Sequence, residues 1–257
     1  MRHPDGQVFT FDAGALCLEF VFTGGEGARA RFETFHSPAD IARWTAGSRL
    51  DPAGHGVDPA AIEISPAEFD VLWQLREALW TLALTTVTAR PPTADAIETG
   101  RRADTVADAI GTGRPADADA IGTGRPADAD AIGTGRPADV DAGRPTAPRP
   151  LDVDAVAVVN ELAAGAGPVL RLAGGRAVWR QPVTGAQLAA EIARDAVLTF
   201  AEPTVGRIRK CGADNCYLIY LDTSRPGRRR WCSMQRCGNR HKIHEFRHRH
   251  ATPEESP

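Results

Sequence analysis

Four of the five cysteines fall within 27 residues near the C-terminus: Cys211, Cys216, Cys232 and Cys237. They read C-x4-C, fifteen residues, then C-x4-C. Two close pairs separated by a hairpin-sized spacer is how a chain brings four thiolates onto one tetrahedral ion. Two disulfides are the rival arrangement. They are disfavoured because nothing points to export, and thiols stay reduced in a cytosol. A redox site also fits less well, since neither pair is C-x-x-C. The expectation is therefore one structural Zn²⁺ on Cys211, Cys216, Cys232 and Cys237. Four sulfur ligands leave no open position for a catalytic water. His241 and His244 compete as ligands only if a sulfur is absent from the shell. Cys17, alone in the apolar run at 15–22, reads as a small buried hydrophobe.

Charge is as uneven as cysteine. The 257 residues carry a formal net charge of −3, which as an average argues against nucleic acid. Residues 1–202 hold 18 Lys and Arg against 28 Asp and Glu, a net of −10. Residues 203–257 hold 12 against 5, a net of +7, and within 207–250 the same 12 face only three acids. A basic module is thus attached to an acidic body. Zn²⁺ with four thiolates contributes −2, so the module stays strongly basic. Its candidate phosphate contacts are Arg225, Arg228, Arg229, Arg230, Arg240, Lys242 and Arg247. The plainer alternative is a solvated basic tail.

The rest of the chain reads as an α+β body. A 42% hydrophobic content supports a core, and no apolar run approaches the roughly 20 residues that span a bilayer. The start, MRHPDGQVFTFD, lacks the apolar stretch of a secretory signal, so a cytoplasmic protein is expected. Residues 8–12 and 15–22 read as two short strands, followed by a loop at Gly24, Gly25 and Gly27. Ser37 starts a helix with Pro38 at its first position. Ser65-Pro66-Ala67-Glu68 is a capping box, and the helix it opens runs to about Ala89, apolar on nearly all sides. Asp152 caps a helix over 153–164. A hairpin follows at 168–172 and 177–181, turned by Gly174-Gly175. Thr184 to Gln187 is a second capping box for a helix at 185–201, with Leu188, Ile192, Ala196 and Leu198 on its apolar side.

Residues 91–150 differ in character. The segment ADADAIGTGRP occurs at 116–126 and again at 127–137. An eleven-residue unit with a single Ile buries too little surface to offset its ordering entropy, so a disordered low-complexity insert is expected there. Residues 251–257 are expected to be a disordered tail.

Within the basic module, 217–221 reads as a strand and 228–232 as its returning partner, with Arg229 pointing opposite to Arg228 and Arg230. A helix is expected from Asn239, with Ile243 and Phe246 on its inner face. Knuckle, hairpin and a helix bearing the last ligand is the order of a treble-clef zinc finger.

Here a specific resemblance emerges. Cys237-Gly238-Asn239-Arg240, preceded by Arg229-Arg230-Trp231-Cys232-Ser233-Met234, resembles the CGNR zinc finger family. Arg209-Lys210-Cys211, Asp222-Thr223-Ser224-Arg225 and Lys242 match its pattern as well. Members usually carry an N-terminal domain called ABATE, to which Leu16–Val21 and the Leu75–Leu79 stretch are similar. Where the family tends to have Asn-Thr, this chain has Phe22-Thr23, so no polar role carries over to position 22. The resemblance implies an ABATE-like domain over 1–202, interrupted at 91–150, then a zinc finger over 203–250. It implies a bacterial, stress-linked transcription regulator that binds DNA, with a small-molecule effector or homodimerisation at the N-terminal domain. Two other classes remain open. In one, Tyr217, Tyr220 and Trp231 stack on unpaired RNA bases. In the other, the basic surface serves an acidic protein. No nucleophile–base motif stands out, so no enzyme is expected.

Overall fold

The computed structural model describes residues 7–51, 58–89, 151–214 and 216–250. The insert expected at 91–150 and the tail expected at 251–257 lie outside them. Six α-helices occur among the described residues: α1 (Leu16–Val21), α2 (Pro38–Thr45), α3 (Pro66–Thr88), α4 (Val153–Ala163), α5 (Gly185–Phe200) and α6 (Asn239–His250). The strands are short and pair off: β1 (Ile62–Glu63) runs parallel to β4 (Val183–Thr184), while β2 (Leu170–Ala173) with β3 (Arg176–Trp179) and β5 (Ile208–Lys210) with β6 (Ile219–Leu221) are antiparallel.

Helix α3 is the centre of the core. Ser65 accepts the Glu68 amide while the Glu68 carboxylate takes the Ser65 amide, and Pro66 follows at the first position. Glu68 also accepts the Ala186 amide at 3.0 Å, so one carboxylate serves the N-termini of both α3 and α5. Burial alone would raise this carboxyl, yet the Ser65 and Ala186 amides outweigh it and hold it below its usual value. Leu72, Leu75 and Leu79 are fully buried against α1, α4 and α5, each contributing about 2–3 kcal/mol of apolar burial. Helix α5 has the expected box at Thr184 and Gln187, with Leu188, Ile192 and Ala196 inside. Leu198 is the exception: it is exposed, because α5 turns that face to solvent.

The strands expected at 8–12 and 15–22 are not formed; the second stretch is helix α1. A continuous apolar run has no period that separates strand from helix. Tertiary packing decides it: Leu16, Cys17, Leu18, Phe20 and Val21 are buried on several sides at once, and the Cys17 amide donates to Asp195 Oδ2 at 2.7 Å. Burial, with Asp195 alongside, pushes the Cys17 thiol well above its usual range.

Two arginines and two glutamates sit within this core. Arg76, wholly buried, donates to both Glu33 oxygens at 3.0 and 2.7 Å and to Thr23 Oγ1, and lies 4.1 Å from the Trp73 ring. Arg29 pairs with Glu77, donates to the Gly24 carbonyl and stacks on Trp80. The Gly24-Gly25 loop is required here. A Cβ at Gly24 would lie 2.3 Å from Glu33 Oε2, and one at Gly25 would lie 2.1 Å from Arg29 Nη1.

Strands β5 and β6 join the same compact unit, with Ile208 and Ile219 inside the main core. The Leu221 amide donates to the Ala13 carbonyl at 2.8 Å. Gly14 beside it has φ +80°, and an added Cβ would sit 2.3 Å from the Leu221 carbonyl oxygen. Gly14→Ala is therefore expected to cost on the order of 2 kcal/mol or more. Urea denaturation checks this, and an unchanged midpoint would contradict it.

Candidate metal centre

The finger is assembled from two hydrogen-bonded turns. In the first, β5 leads into Cys211 and β6 leaves after Cys216. The Cys211 amide donates to the Leu218 carbonyl at 2.8 Å and the Cys216 amide to the Ala213 carbonyl at 3.0 Å. In the second, Cys232 precedes a π-helical turn (Met234–Gly238) that carries Cys237 and runs into α6. The two turns are tied by Gly212 N–H to the Arg230 carbonyl at 2.9 Å and by Cys232 N–H to Cys211 Sγ at 3.4 Å.

The four sulfurs lie within 4.8 Å of one another. Zn–S bonds of about 2.3 Å in a tetrahedron require S···S separations near 3.8 Å. Cys216–Cys232 is 3.7 Å and Cys232–Cys237 is 3.6 Å. A disulfide needs about 2.05 Å, and all five cysteines are free. The donor set therefore fits one structural zinc, and an N–H···S bond to Cys211 offsets part of the charge that thiolates bring.

Four thiols this close cannot all ionise without a cation. Hydrogen bonds from Cys216 and Cys232 pull the Cys211 thiol far down. The Cys211 thiolate in turn pushes Cys216 up to about 12 and raises Cys232. Burial and the same thiolate raise Cys237. Metal uptake must then displace protons from the raised thiols, so zinc affinity is expected to rise with pH across the neutral range. Calorimetric titration in buffers of differing ionisation enthalpy checks this; an affinity independent of pH would contradict it.

The residues around the centre differ from the strand reading. Residues 228–232 form no strand: β6 pairs with β5 instead. The buried Asp222 carboxylate causes this. It accepts the Ser224 amide, the Ser224 hydroxyl and the Arg229 amide, closing a loop that side-chain acceptors hold without a ladder. Burial opposes ionisation of Asp222, but these bonds outweigh it and lower its pKa. Arg229 is turned inward: Nε donates to the Trp231 carbonyl at 3.0 Å, Nη2 to the Cys232 carbonyl at 2.5 Å, and the guanidinium lies 4.1 Å from the Tyr220 ring. It holds the knuckle. Arg225, Arg228 and Arg230 are exposed on the loop, with Arg230 lying 5.4 Å from the Trp231 ring. Arg240, Lys242 and Arg247 are exposed on α6.

Helix α6 buries no residue. Ile243 and Phe246, expected on an inner face, are exposed at 52% and 57%, because α6 buries no residue against the described part of the chain. His241 turns back, stacked on Trp231 at 4.7 Å and paired with Glu245. Sequence reasoning passed over Arg236. It is buried, donates to Gln7 Oε1 at 2.6 Å and lies over the Phe9 ring. The place of Arg236 between two zinc ligands, in a turn too short to project it freely, is the signal available.

No helix among the described residues is long and apolar enough to cross a membrane. No curated protein matches the chain. Two families do. Residues 207–250 match the CGNR zinc finger, and residues 14–134 match ABATE, described as "Putative stress-induced transcription regulator". Both are zinc-finger or regulator families and neither is an enzyme family. Its four cysteines converge inside the zinc-finger match, and along the chain an ABATE match precedes a CGNR zinc-finger match.

Proposed function

We propose that the protein is a zinc-dependent, DNA-binding transcription regulator of the cytoplasm, in which the finger holds DNA and the N-terminal domain receives the signal, from a small molecule or from a second copy of the chain. One observation carries this reading: α6 is a basic helix with no buried residue, rigidly started by the zinc turn. Arg240, Lys242 and Arg247 lie along it, and Arg225, Arg228 and Arg230 are exposed on the neighbouring loop. An unpacked, positively charged helix is suited to phosphates and to a major groove about 12 Å wide. Arg229 is left out of this set, since its guanidinium is bonded to the knuckle carbonyls.

The RNA alternative has less support. It calls on three aromatic faces, but Tyr220 is fully buried and Trp231 is covered by His241, which leaves Tyr217 exposed at 53%. The protein-partner alternative predicts capture that survives nuclease.

The test is a mobility-shift titration of duplex DNA over a salt series. Zinc-loaded protein should bind, with affinity falling steeply as salt rises. Arg240→Ala combined with Arg247→Ala should weaken binding and flatten the salt slope by about 0.9 for each phosphate that is no longer neutralised. Absence of binding at low salt, or binding without salt dependence, would overturn the reading.

A further inference from the structure

The segment Gly24–Phe32 and the first zinc turn enclose a cavity of about 320 Å³, within the size range of small-molecule sites. Five aromatic side chains line it: Phe9, Phe22, Phe32, Trp80 and Tyr217. The zinc ligands Cys216 and Cys237 and their neighbours Leu218 and Arg240 form part of its wall. An aromatic lining of this kind selects a flat apolar body.

Charge selects the rest of the ligand. Arg29, Arg31, Arg236 and Arg240 all contribute to the lining, and Arg29 is balanced by Glu77. The wall is largely apolar. Arg31 spans it, lying 4.8 Å from the Phe32 ring and 6.0 Å from the Tyr217 ring, and no ion pair with a carboxylate holds it among the described residues. A guanidinium presented over aromatic faces binds a planar carboxylate through two parallel hydrogen bonds.

We propose that this cavity binds an aromatic carboxylate, its ring among the five aromatic side chains and its carboxylate on Arg31. Because part of the wall is the zinc turn, and Arg240 belongs both to that wall and to α6, occupancy is transmitted to the finger. This consequence for DNA rests on the regulator reading above; the binding itself does not.

The probe is 2-naphthoate, with neutral 2-naphthamide as comparator, titrated calorimetrically into the zinc-loaded full chain. Naphthoate should bind saturably, one per chain, and about tenfold or more tighter than naphthamide. Arg31→Gln, at an exposed side chain whose loss leaves zinc content unchanged, should remove that difference by weakening naphthoate alone. Tyr217→Ala should weaken both compounds. No binding of either compound, equal affinity for both, or naphthoate binding unchanged by Arg31→Gln would overturn the proposal. Naphthoate binding by a chain that ignores DNA keeps this proposal and removes the regulator reading. DNA binding by a chain that ignores naphthoate does the reverse.

Discussion

Cys237→Ser protein is expected to lose its zinc and to fall sharply in thermal stability, with the effect reaching well beyond the finger. Structural zinc supplies on the order of 10 kcal/mol of folding free energy in isolated fingers, comparable to the whole stability of an ordinary domain. The loss should spread because β5 and β6 carry Ile208 and Ile219 into the main core and β6 bonds to Ala13. Chelator treatment of the unmodified chain should give the same result. Elemental analysis and a thermal scan followed by near-ultraviolet circular dichroism check it. An unchanged transition after zinc removal would refute the structural role. A core transition that stays put while only the finger melts would refute the coupling.

The second large effect is expected at Glu33→Gln. The substitution keeps shape but leaves the fully buried Arg76 without the carboxylate that both its terminal nitrogens engage. Breaking a buried pair from one side costs about 3–5 kcal/mol, since the remaining charge stays desolvated. Here Glu77 lies 3.9 Å from Arg76 Nε without bonding it, and its other oxygen serves Arg29. Among the described residues Glu77 is the other carboxylate paired with Arg76, and it is shared with Arg29. Burial would raise the Glu33 carboxyl, but Arg76 and the Phe35 and Gly25 amides outweigh it and hold it below its usual 4.5. A lowered carboxyl contributes stability that is complete above the usual value and is lost as pH falls through the lower folded-state value. Urea midpoints of the parent chain should therefore decline in acid below about pH 4.5, and those of Glu33→Gln should decline less. Equal midpoints for the two proteins at neutral pH would refute the argument.

What could be read from the residues in order was the chemistry that acts over a few positions. Capping boxes at Ser65 and Thr184, the cap at Asp152 and the turn at Gly174-Gly175 all depend on neighbours within four residues, and all are present. The zinc ligands were equally legible, because four thiolates at hairpin spacing have few other uses. The apolar run at 15–22 was not, since burial on several sides erases the period that would tell strand from helix.

The finger divides the same way. Sequence alone determined that Cys211, Cys216, Cys232 and Cys237 meet and that the surrounding chain is basic. Only the tertiary structure decided which basic residues face outward. Arg229 is drawn in by carbonyls that the zinc turn leaves exposed, Arg236 is buried over Phe9, and α6 stands clear with Ile243 and Phe246 in solvent. Sulfur ligation is a property of residue type and spacing. The direction of a guanidinium is set by whichever acceptors folding brings to it from elsewhere in the chain.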